Sequence, residues 1–416
     1  MTLVDERPAL KQAHPRRGAR EQVIHAGNRL LQAVRDPFFV QALALVVGLR
    51  VALGLVGWAG LELYPAAGLN GDWSELIDPL DTPLGALVSP WQRWDALWYQ
   101  HIAMTGYPAG GNEAAFFPLY PLCVRVVATL LGGAYGLAAL VVSTLAFPIG
   151  LLLVFRVVAA ELGREDGERA AVYLALAPTA FFFLAGFTES LFLALSVGAI
   201  LAARRRHFGA AACLGGLAAL CRFQGVLVAV PIAIEGVIAV RLCRRTSRPA
   251  PSMALPAALA PVLCLGLWML YLDRSVGTRL GPFGPWEHYW QHHFAPPWAV
   301  FADSLHTIAQ GGHLDEVMNL AVQLLATIAL PLMLRLGLPW SYTAYAVIAV
   351  ISPWFYETGV LTPLTSAARY ALVVFPLFAV LAVLGRRRWV NALVLTTFPV
   401  VMSFAFFHYT HFNFVG

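Results

Sequence analysis

The chain has 416 residues, of which 59% are hydrophobic and only 12% are charged. Soluble domains carry about 25% charged residues, so this composition excludes an ordinary soluble fold and indicates a polytopic membrane protein. The formal net charge of +5 does not point to nucleic acid, because the basic residues cluster beside apolar runs, where they would meet anionic membrane lipids.

Residues 1–37 form a basic segment ahead of the first apolar run. The segment lacks the short apolar core and small-residue cleavage site of a signal peptide, so we predict a retained cytoplasmic N-terminal arm. The five cysteines show no metal-ligand spacing, which argues against a zinc site and a disulfide framework. We expect residues 38–416 to form one transmembrane domain.

Apolar runs recur along the whole of that domain. Several are shorter than the ~20 residues that cross ~30 Å of hydrocarbon, so we expect tilted or broken helices. The predicted fold class is all-α, a polytopic helical bundle of about 11 transmembrane helices. The runs cover residues 38–59, 136–158, 171–186, 188–203, 208–221, 223–240, 253–272, 317–338, 339–353, 368–384 and 390–409.

The basic residues give the predicted orientation. With the N-terminus in the cytoplasm, 21 of the 28 Lys and Arg residues fall on the cytoplasmic side, as the positive-inside rule requires. Two long loops, about 60–117 and 273–316, then lie outside. The predicted location is the cell membrane, with many crossings and the functional face outward.

Seven arginines do not follow this pattern, and three of them lie within or at the ends of predicted spans. Arg50 lies inside the first predicted span, and Arg222 and Arg369 lie at the outer ends of later spans, where an unpaired cation is costly. Each needs an anion. Structural ion pairs with Glu189 or Asp95 are one interpretation, and a bound lipid phosphate is the other.

The stretch "SPWQRWDALWYQHIAMTGYP", residues 89–108, contains a single acid, Asp95, among aromatic residues. At the outer interface, a carboxylate partly shielded from water by Trp94 and Trp98 could accept a proton from a sugar hydroxyl. The alternative is structural: tryptophan and tyrosine anchor loops at the headgroup level, and Asp95 would cap a helix that starts at Ala96.

The sequence lacks the motifs of nucleotide chemistry. It has no GxxxxGK[ST], no GxGxxG after a predicted strand and no Asp-x-Asp pair to hold a metal on a diphosphate leaving group. His288 and His292 have metal-compatible spacing, and His293 is adjacent, but no second motif accompanies them. A lipid monophosphate suits these residues better, since arginine can neutralise it without a metal.

Four segments resemble the PIG-V family of mannosyltransferases, which add the second mannose to glycosylphosphatidylinositol precursors, and their bacterial relatives. The resemblance covers most of the chain from about residue 40 onward, while the N-terminal arm lies outside it. The four segments are "RWDALWYQHIAMTGYP...EAAFFPLYPL" (93–122), "APTAFFFLAGFTESLFLALS" (177–196), "LAALCRFQGVLV" (217–228) and "SAARYALVVFPLF" (366–378).

The resemblance implies a fold of the GT-C superfamily and an inverting, metal-free transfer of mannose from a polyprenyl-phosphate-mannose donor, without a cofactor. It matches Asp95 to the proposed base, Glu189 to the acidic residue of the second segment, and Arg222 and Arg369 to basic positions of the third and fourth. We predict that Asp95 and Glu189 are catalytic and that Arg222, Arg369 and Tyr370 bind the donor phosphate. The candidate substrate-binding residues are Arg93, Trp94, Trp98, Tyr99, His101, Glu113 and Trp290.

We therefore predict a membrane glycosyltransferase that acts on a lipid-linked or glycan acceptor at the outer face. Its partners would be the donor, the acceptor and membrane lipids, with no nucleic acid. A non-enzymatic lipid or solute transporter is the alternative, although its charged residues should run through both leaflets. A structural scaffold would not need buried arginines.

Overall fold

The structure, a computed structural model, describes residues 36–64, 73–247, 249–278, 280–311, 314–413 and 415. The predicted N-terminal arm therefore lies outside the described residues, apart from its last two positions. The proposed division of the chain at residue 37 stays a prediction.

The described chain is almost entirely helical. Its α-helices are α1 (Pro37–Leu63), α2 (Pro83–Val88), α3 (Asp95–Thr105), α4 (Leu119–Leu130), α5 (Tyr135–Leu162), α6 (Arg164–Leu176), α7 (Glu189–Arg204), α8 (Phe208–Cys221), α9 (Ala229–Arg245), α10 (Leu259–Tyr271), α11 (Phe283–His288), α12 (Pro297–Gln310), α13 (Leu314–Arg335), α14 (Trp340–Ile351), α15 (Ala367–Leu372), α16 (Phe375–Leu384) and α17 (Arg388–Thr410).

Shorter helical turns link these elements. The 3₁₀ turns are Ser74–Leu76, Ser89–Trp91, Asn112–Ala115, Ala180–Phe183, Phe223–Val228, Pro256–Ala258 and Ser352–Phe355, and a π-helical turn covers Leu272–Val276. Two short strands, β1 (His292–Phe294) and β2 (Tyr356–Thr358), pair antiparallel with His293 opposite Glu357. This ribbon joins the second predicted outer loop to the segment ahead of α15.

Six helical stretches of the described chain are long and apolar enough to cross a membrane. They are Pro37–Leu63, Tyr135–Leu162, Phe223–Arg245, Pro256–Val276, Leu314–Arg335 and Arg388–Thr410. Three shorter apolar helices, α4, α8 and α16, accompany them. The predicted all-α polytopic bundle is confirmed, and the figure of about 11 spans stays a prediction.

Two predicted spans are interrupted by proline. The run 171–186 contains the end of α6, which stops at Leu176 because Ala177, the residue before Pro178, has extended backbone. The run 368–384 is divided into α15 and α16, and Pro376 stands in the first turn of α16. The first interruption places Glu189 at the start of a new helix, and the second separates Arg369 from the apolar helix behind it.

Helix α5 lies at the centre of the bundle. Two thirds of its most apolar window is buried inside the protein, against 17% for α1, and it contacts α1, α4, α6 and α7. Its buried positions include Gly150, where an added Cβ would lie 2.9 Å from the Leu193 side chain. This close packing fixes α7, and with it Glu189, against the centre of the fold.

One end of the bundle is fastened by ion pairs. Arg156 contacts Asp36 at 3.0 Å, and Arg204 contacts both Glu161 and Glu235. Further along the chain, Arg386 and Arg169 both bind Asp166. The four arginines are among the 21 basic residues predicted to be cytoplasmic, so the structure gathers their segments at one end. Which end faces the cytoplasm stays a prediction.

Candidate active site

Asp95 is the first residue of α3 rather than the residue that precedes it. The N-cap position belongs to Trp94, whose backbone has φ 52° and ψ −126°, an unusual conformation for a residue other than glycine. The predicted alternative, in which Asp95 caps a helix from Ala96, therefore differs from the structure by one position. The Asp95 side chain instead accepts a hydrogen bond from Arg369 Nη1 at 2.6 Å.

Glu189, the first residue of α7, is fully buried and faces two arginines. Its Oε1 accepts a hydrogen bond from Arg222 Nη1 and lies 3.6 Å from Arg369 Nε. Its Oε2 has no hydrogen-bond partner among the described residues. A buried carboxylate between two guanidinium groups stabilises both of them against the low-dielectric surroundings.

Asp95, Glu189, Arg222 and Arg369 thus form one contiguous group, called here the charged cluster. Tyr370 borders it, because its ring lies 5.4 Å from the Arg222 guanidinium carbon and 5.7 Å from that of Arg369. The structure brings together the predicted catalytic acids and the predicted phosphate-binding residues. Their roles stay predictions.

Arg50 is not paired with either acid of the charged cluster. Its Nη2 donates to the Leu184 carbonyl, and its guanidinium carbon lies 4.7 Å from the centre of the Trp91 ring. Its Nε and Nη1 have no hydrogen-bond partner in the described part of the chain. The ion-pair interpretation of Arg50 is therefore wrong in this structure, whereas Arg222 and Arg369 are both paired.

An aromatic group adjoins the charged cluster along α3. The Trp98 ring stacks on Phe116 at 5.2 Å and lies 5.8 Å from the Trp290 ring. Trp98 and Phe116 belong to the first predicted outer loop and Trp290 to the second, so the two loops meet here. Burial, and after it the Asp95 carboxylate, raises the pKa of Tyr99 well above its usual value, so Tyr99 presents a neutral hydroxyl.

His101, farther along α3, forms a second polar pair with Glu113 of the turn Asn112–Ala115. His101 Nε2 lies 3.3 Å from Glu113 Oε1, and the imidazole stacks on the Trp73 ring with centroids 3.5 Å apart. The structure therefore brings these two candidate residues together at the side of the aromatic group, about two helical turns from Asp95.

Arg93 is turned away from the charged cluster. Its Nε donates to the Thr410 carbonyl at 2.7 Å, and its Nη1 donates to the Ser89 and Gln92 carbonyls. The Tyr409 hydroxyl adds a hydrogen bond to the Arg93 carbonyl. These bonds fasten the segment before Asp95 to the end of α17, and a role of Arg93 in substrate binding stays a prediction.

One set of residues at the site was not predicted. Glu316, Asn319 and Gln323 are fully buried on α13, and two of them hydrogen-bond the backbone just ahead of Arg369. The signal in the sequence was three polar residues at spacings of three and four within an apolar run. Such spacing places them on one face of a helix.

The described residues contain no group of three or more His, Cys, Asp or Glu side chains arranged to hold a metal ion. His292 and His293 lie in β1, and His293 contacts Glu357 across the ribbon at 3.4 Å. Burial, together with His293, lowers the pKa of His292 to about 4. His288 and His292 are therefore not joined by further candidate ligands among the described residues.

Comparison with protein families finds a match to mannosyltransferases over part of the chain. Residues 79–240 match the family model described as mannosyltransferase (PIG-V), the family that the sequence motifs resemble. The match confirms the predicted resemblance, which is to a family of enzymes rather than of transporters or scaffolds. The matched segment contains Asp95, Glu189 and Arg222, whereas Arg369 lies beyond it.

Solved structures show distant similarity to the chain. ArnT from Cupriavidus metallidurans bound to undecaprenyl phosphate is 16% identical over 81% of this chain, with a TM-score of 0.43. The Archaeoglobus fulgidus oligosaccharyltransferase tethered with an acceptor peptide is 12% identical over 92% of this chain, with a TM-score of 0.45. The chain spans 59% and 56% of the length of those two chains. A search of curated proteins gives no match.

Proposed function

We propose that the chain transfers mannose from a polyprenyl-phosphate-mannose donor to a lipid-linked or glycan acceptor, with inversion and without a metal. The observation that carries this proposal is the charged cluster, in which the partly exposed Asp95 carboxylate pairs with Arg369 and the buried Glu189 carboxylate contacts both Arg222 and Arg369. The family match to mannosyltransferases supports the sugar, and the apolar surroundings of the cluster support a lipid-linked donor.

Asp95 is suited to act as the base. Its Oδ2 accepts from Arg369, which orients the carboxylate, and the side chain is 26% exposed. An acceptor hydroxyl at Oδ1 would give its proton to Asp95 as its oxygen bonds to the anomeric carbon. General-base assistance of this kind is typically worth ~10²- to 10⁴-fold in rate.

Arg222 and Arg369 are suited to receive the leaving group. As the bond between the anomeric carbon and the phosphate oxygen breaks, its electron pair stays on the lipid phosphate, and charge develops there. Guanidinium groups match phosphate oxygens in pairs. The two guanidiniums of the cluster are balanced by two carboxylates, and Arg50 nearby adds a positive charge without an acidic partner among the described residues. This surplus favours an anionic ligand.

A groove of about 460 Å³ offers an apolar surface for a lipid substrate. It lies between α3, α4, α8 and α10, and its wall includes Leu220, two residues before Arg222. Leu122, Leu267 and Trp268 give it a largely apolar lining.

The chain is a multi-pass membrane protein, and we place it in the cell membrane with the charged cluster outward. The distribution of basic residues supports this orientation. The meeting of Trp98 with Trp290 supports it too, because both predicted outer loops then lie on one face.

The proposal is tested by incubating the purified chain with radiolabelled polyprenyl-phosphate-mannose and a panel of membrane lipids, with and without a chelator. We expect mannose transfer to at least one lipid at a rate that the chelator does not change. A strict requirement for a divalent ion would contradict the metal-free mechanism, and transfer only from a nucleotide sugar would contradict the donor.

A further inference from the structure

Helix α13 carries three buried polar side chains, Glu316, Asn319 and Gln323, although it is apolar enough to cross a membrane. They lie on one face of the helix. A polar group buried in apolar surroundings is costly unless it is hydrogen-bonded. The hydrogen-bond partners of these side chains therefore indicate what they contribute to the fold.

Two of the three side chains bind the backbone just before Arg369. The Glu316 carboxylate accepts from the Leu364 N–H at 3.2 and 3.3 Å. Asn319 Oδ1 accepts from the Ala368 N–H at 2.9 Å. Because Ala368 adjoins Arg369 in the chain, the Asn319 bond fixes the backbone from which the arginine side chain extends.

Helix α15 is too short to hold this backbone by itself. It has six residues, and isolated helices below about 12–15 residues are marginal. Ser366 precedes it with φ 68°, a conformation that a residue other than glycine keeps only where its surroundings impose it. Ser366 Oγ also accepts from Arg369 Nη2 at 3.1 Å. The side chains of α13 supply anchors from outside α15.

We propose that Asn319 and Glu316 are positioning residues for the charged cluster. They hold residues 364–368 so that the Arg369 guanidinium reaches Asp95 at 2.6 Å and Glu189 at 3.6 Å. Neither residue touches a substrate, and both act through Arg369. The catalytic consequence rests on the proposed function, since it assumes that Arg369 stabilises the leaving phosphate.

Gln323 provides a matched control on the same helix. It is equally buried, but its Nε2 donates to the Val350 carbonyl of α14 at 2.6 Å rather than to the α15 segment. Gln323→Leu and Asn319→Leu therefore each remove one buried hydrogen bond from α13. Only Asn319→Leu frees the backbone beside Arg369, whereas Asn319→Asp keeps an acceptor oxygen for the Ala368 N–H.

The test combines hydrogen exchange with steady-state mannose transfer. In Asn319→Leu we expect faster exchange of the amides in residues 364–372 and a fall in kcat of roughly 10²-fold, because small displacements of catalytic groups have effects of that size. The KM for the acceptor should stay unchanged. Asn319→Asp should recover most of the wild-type rate. Gln323→Leu should retain the wild-type rate although its melting temperature falls by about as much as that of Asn319→Leu.

Equal losses of rate in Asn319→Leu and Gln323→Leu at equal melting temperature would overturn the proposal, as would unchanged exchange in residues 364–372. If Asn319→Leu does not fold, Glu316→Gln replaces it in the exchange experiment. Glu316→Gln retains one acceptor oxygen, so it should show a smaller increase in exchange in residues 364–372. No increase in this variant would overturn the proposal. If the wild-type chain transfers no mannose, the proposed function fails, and the exchange result alone then decides the positioning.

Discussion

Arg369 and Asp95 form an ion pair of 2.6 Å although 274 residues separate them in the chain. The same guanidinium lies 3.6 Å from Glu189, so one arginine contacts two carboxylates. Their exposures differ: the Asp95 side chain is 26% exposed and that of Glu189 only 1%. This difference favours Asp95 as the acid that meets an acceptor hydroxyl and Glu189 as the counter-ion of the arginines.

The first prediction concerns the base. Asp95→Asn keeps the size of the side chain and removes its ability to take a proton, so we expect mannose transfer to fall by ~10²- to 10⁴-fold. The melting temperature should change little in comparison, because the Asp95 side chain is partly exposed and Arg369 keeps Glu189 beside it. Transfer by the purified variant and its thermal unfolding are the measurements.

Asp95→Glu is the matched control, since it retains a carboxylate at a shifted position and should keep more activity than Asp95→Asn. Transfer by Asp95→Asn within a few-fold of wild type would assign Asp95 to structure and leave Glu189 as the next candidate base.

The second prediction concerns the two arginines. Arg222→Lys and Arg369→Lys keep the positive charge but lose the planar, paired donors, so turnover should fall in both variants. The loss should be larger for Arg369→Lys, because an ammonium group cannot reproduce the contacts of Arg369 with both Asp95 and Glu189. Rates measured at saturating donor give the comparison, and unchanged kinetics in both variants would make these arginines structural ion-pair partners only.

The third prediction separates structure from chemistry at Glu189. Glu189→Gln leaves the buried guanidinium of Arg222 without its carboxylate, and losing one partner of a buried pair typically costs roughly 3–5 kcal/mol. Glu165→Gln is the control, since Glu165 is 91% exposed in its pair with Arg169 and should contribute less than about 1 kcal/mol. Unfolding of the two variants in detergent measures the difference, and equal stabilities would contradict the role of Glu189 as counter-ion.

The fourth prediction concerns orientation. In a background without native cysteines, a cysteine at the exposed Asp81 should react with an impermeant reagent added outside the cell. A cysteine at the exposed Arg387 should react only after the membrane is opened. Labelling of position 81 from the cytoplasmic side would place the charged cluster on the wrong face for an outward-facing enzyme.

The fifth prediction follows from the ribbon of β1 and β2. Burial raises the pKa of Glu357, the Asp303 carboxylate raises it further, and His293 opposes this shift. Because the pKa of Glu357 is higher in the folded chain than the ordinary value, its contribution to stability is present at acidic pH and is lost as the pH rises through the folded value. The melting temperature of wild type minus that of Glu357→Gln should therefore decrease as the pH rises above about 4. A difference that does not change with pH would contradict this assignment.

The sequence predicts the bundle and the identity of the charged cluster better than it predicts the geometry. Composition and apolar runs indicate the all-α membrane fold, and the motif around Asp95 leads to the PIG-V resemblance. The motifs also name Glu189, Arg222 and Arg369, because charged residues in apolar segments stand out.

The sequence does not predict which charges pair. Arg50 and Arg222 look alike as arginines near apolar spans, yet only Arg222 meets an acid, because pairing depends on how distant helices pack. Arg93 lies two residues from Asp95 and nevertheless turns to the end of α17. The contacts of Asn319 are also tertiary, so an amide within an apolar run could be recognised as unusual but not connected to Arg369.

The hydrogen bond from Arg93 to the Thr410 carbonyl has a consequence for biosynthesis. The two residues are 317 positions apart, so the ribosome makes the segment that carries Asp95 long before it makes the helix that fastens it. The Asp95–Arg369 pair also forms late, and both interactions await the insertion of the last helices. A nascent chain therefore carries the Asp95 segment without its fastening contacts until translation has passed Thr410.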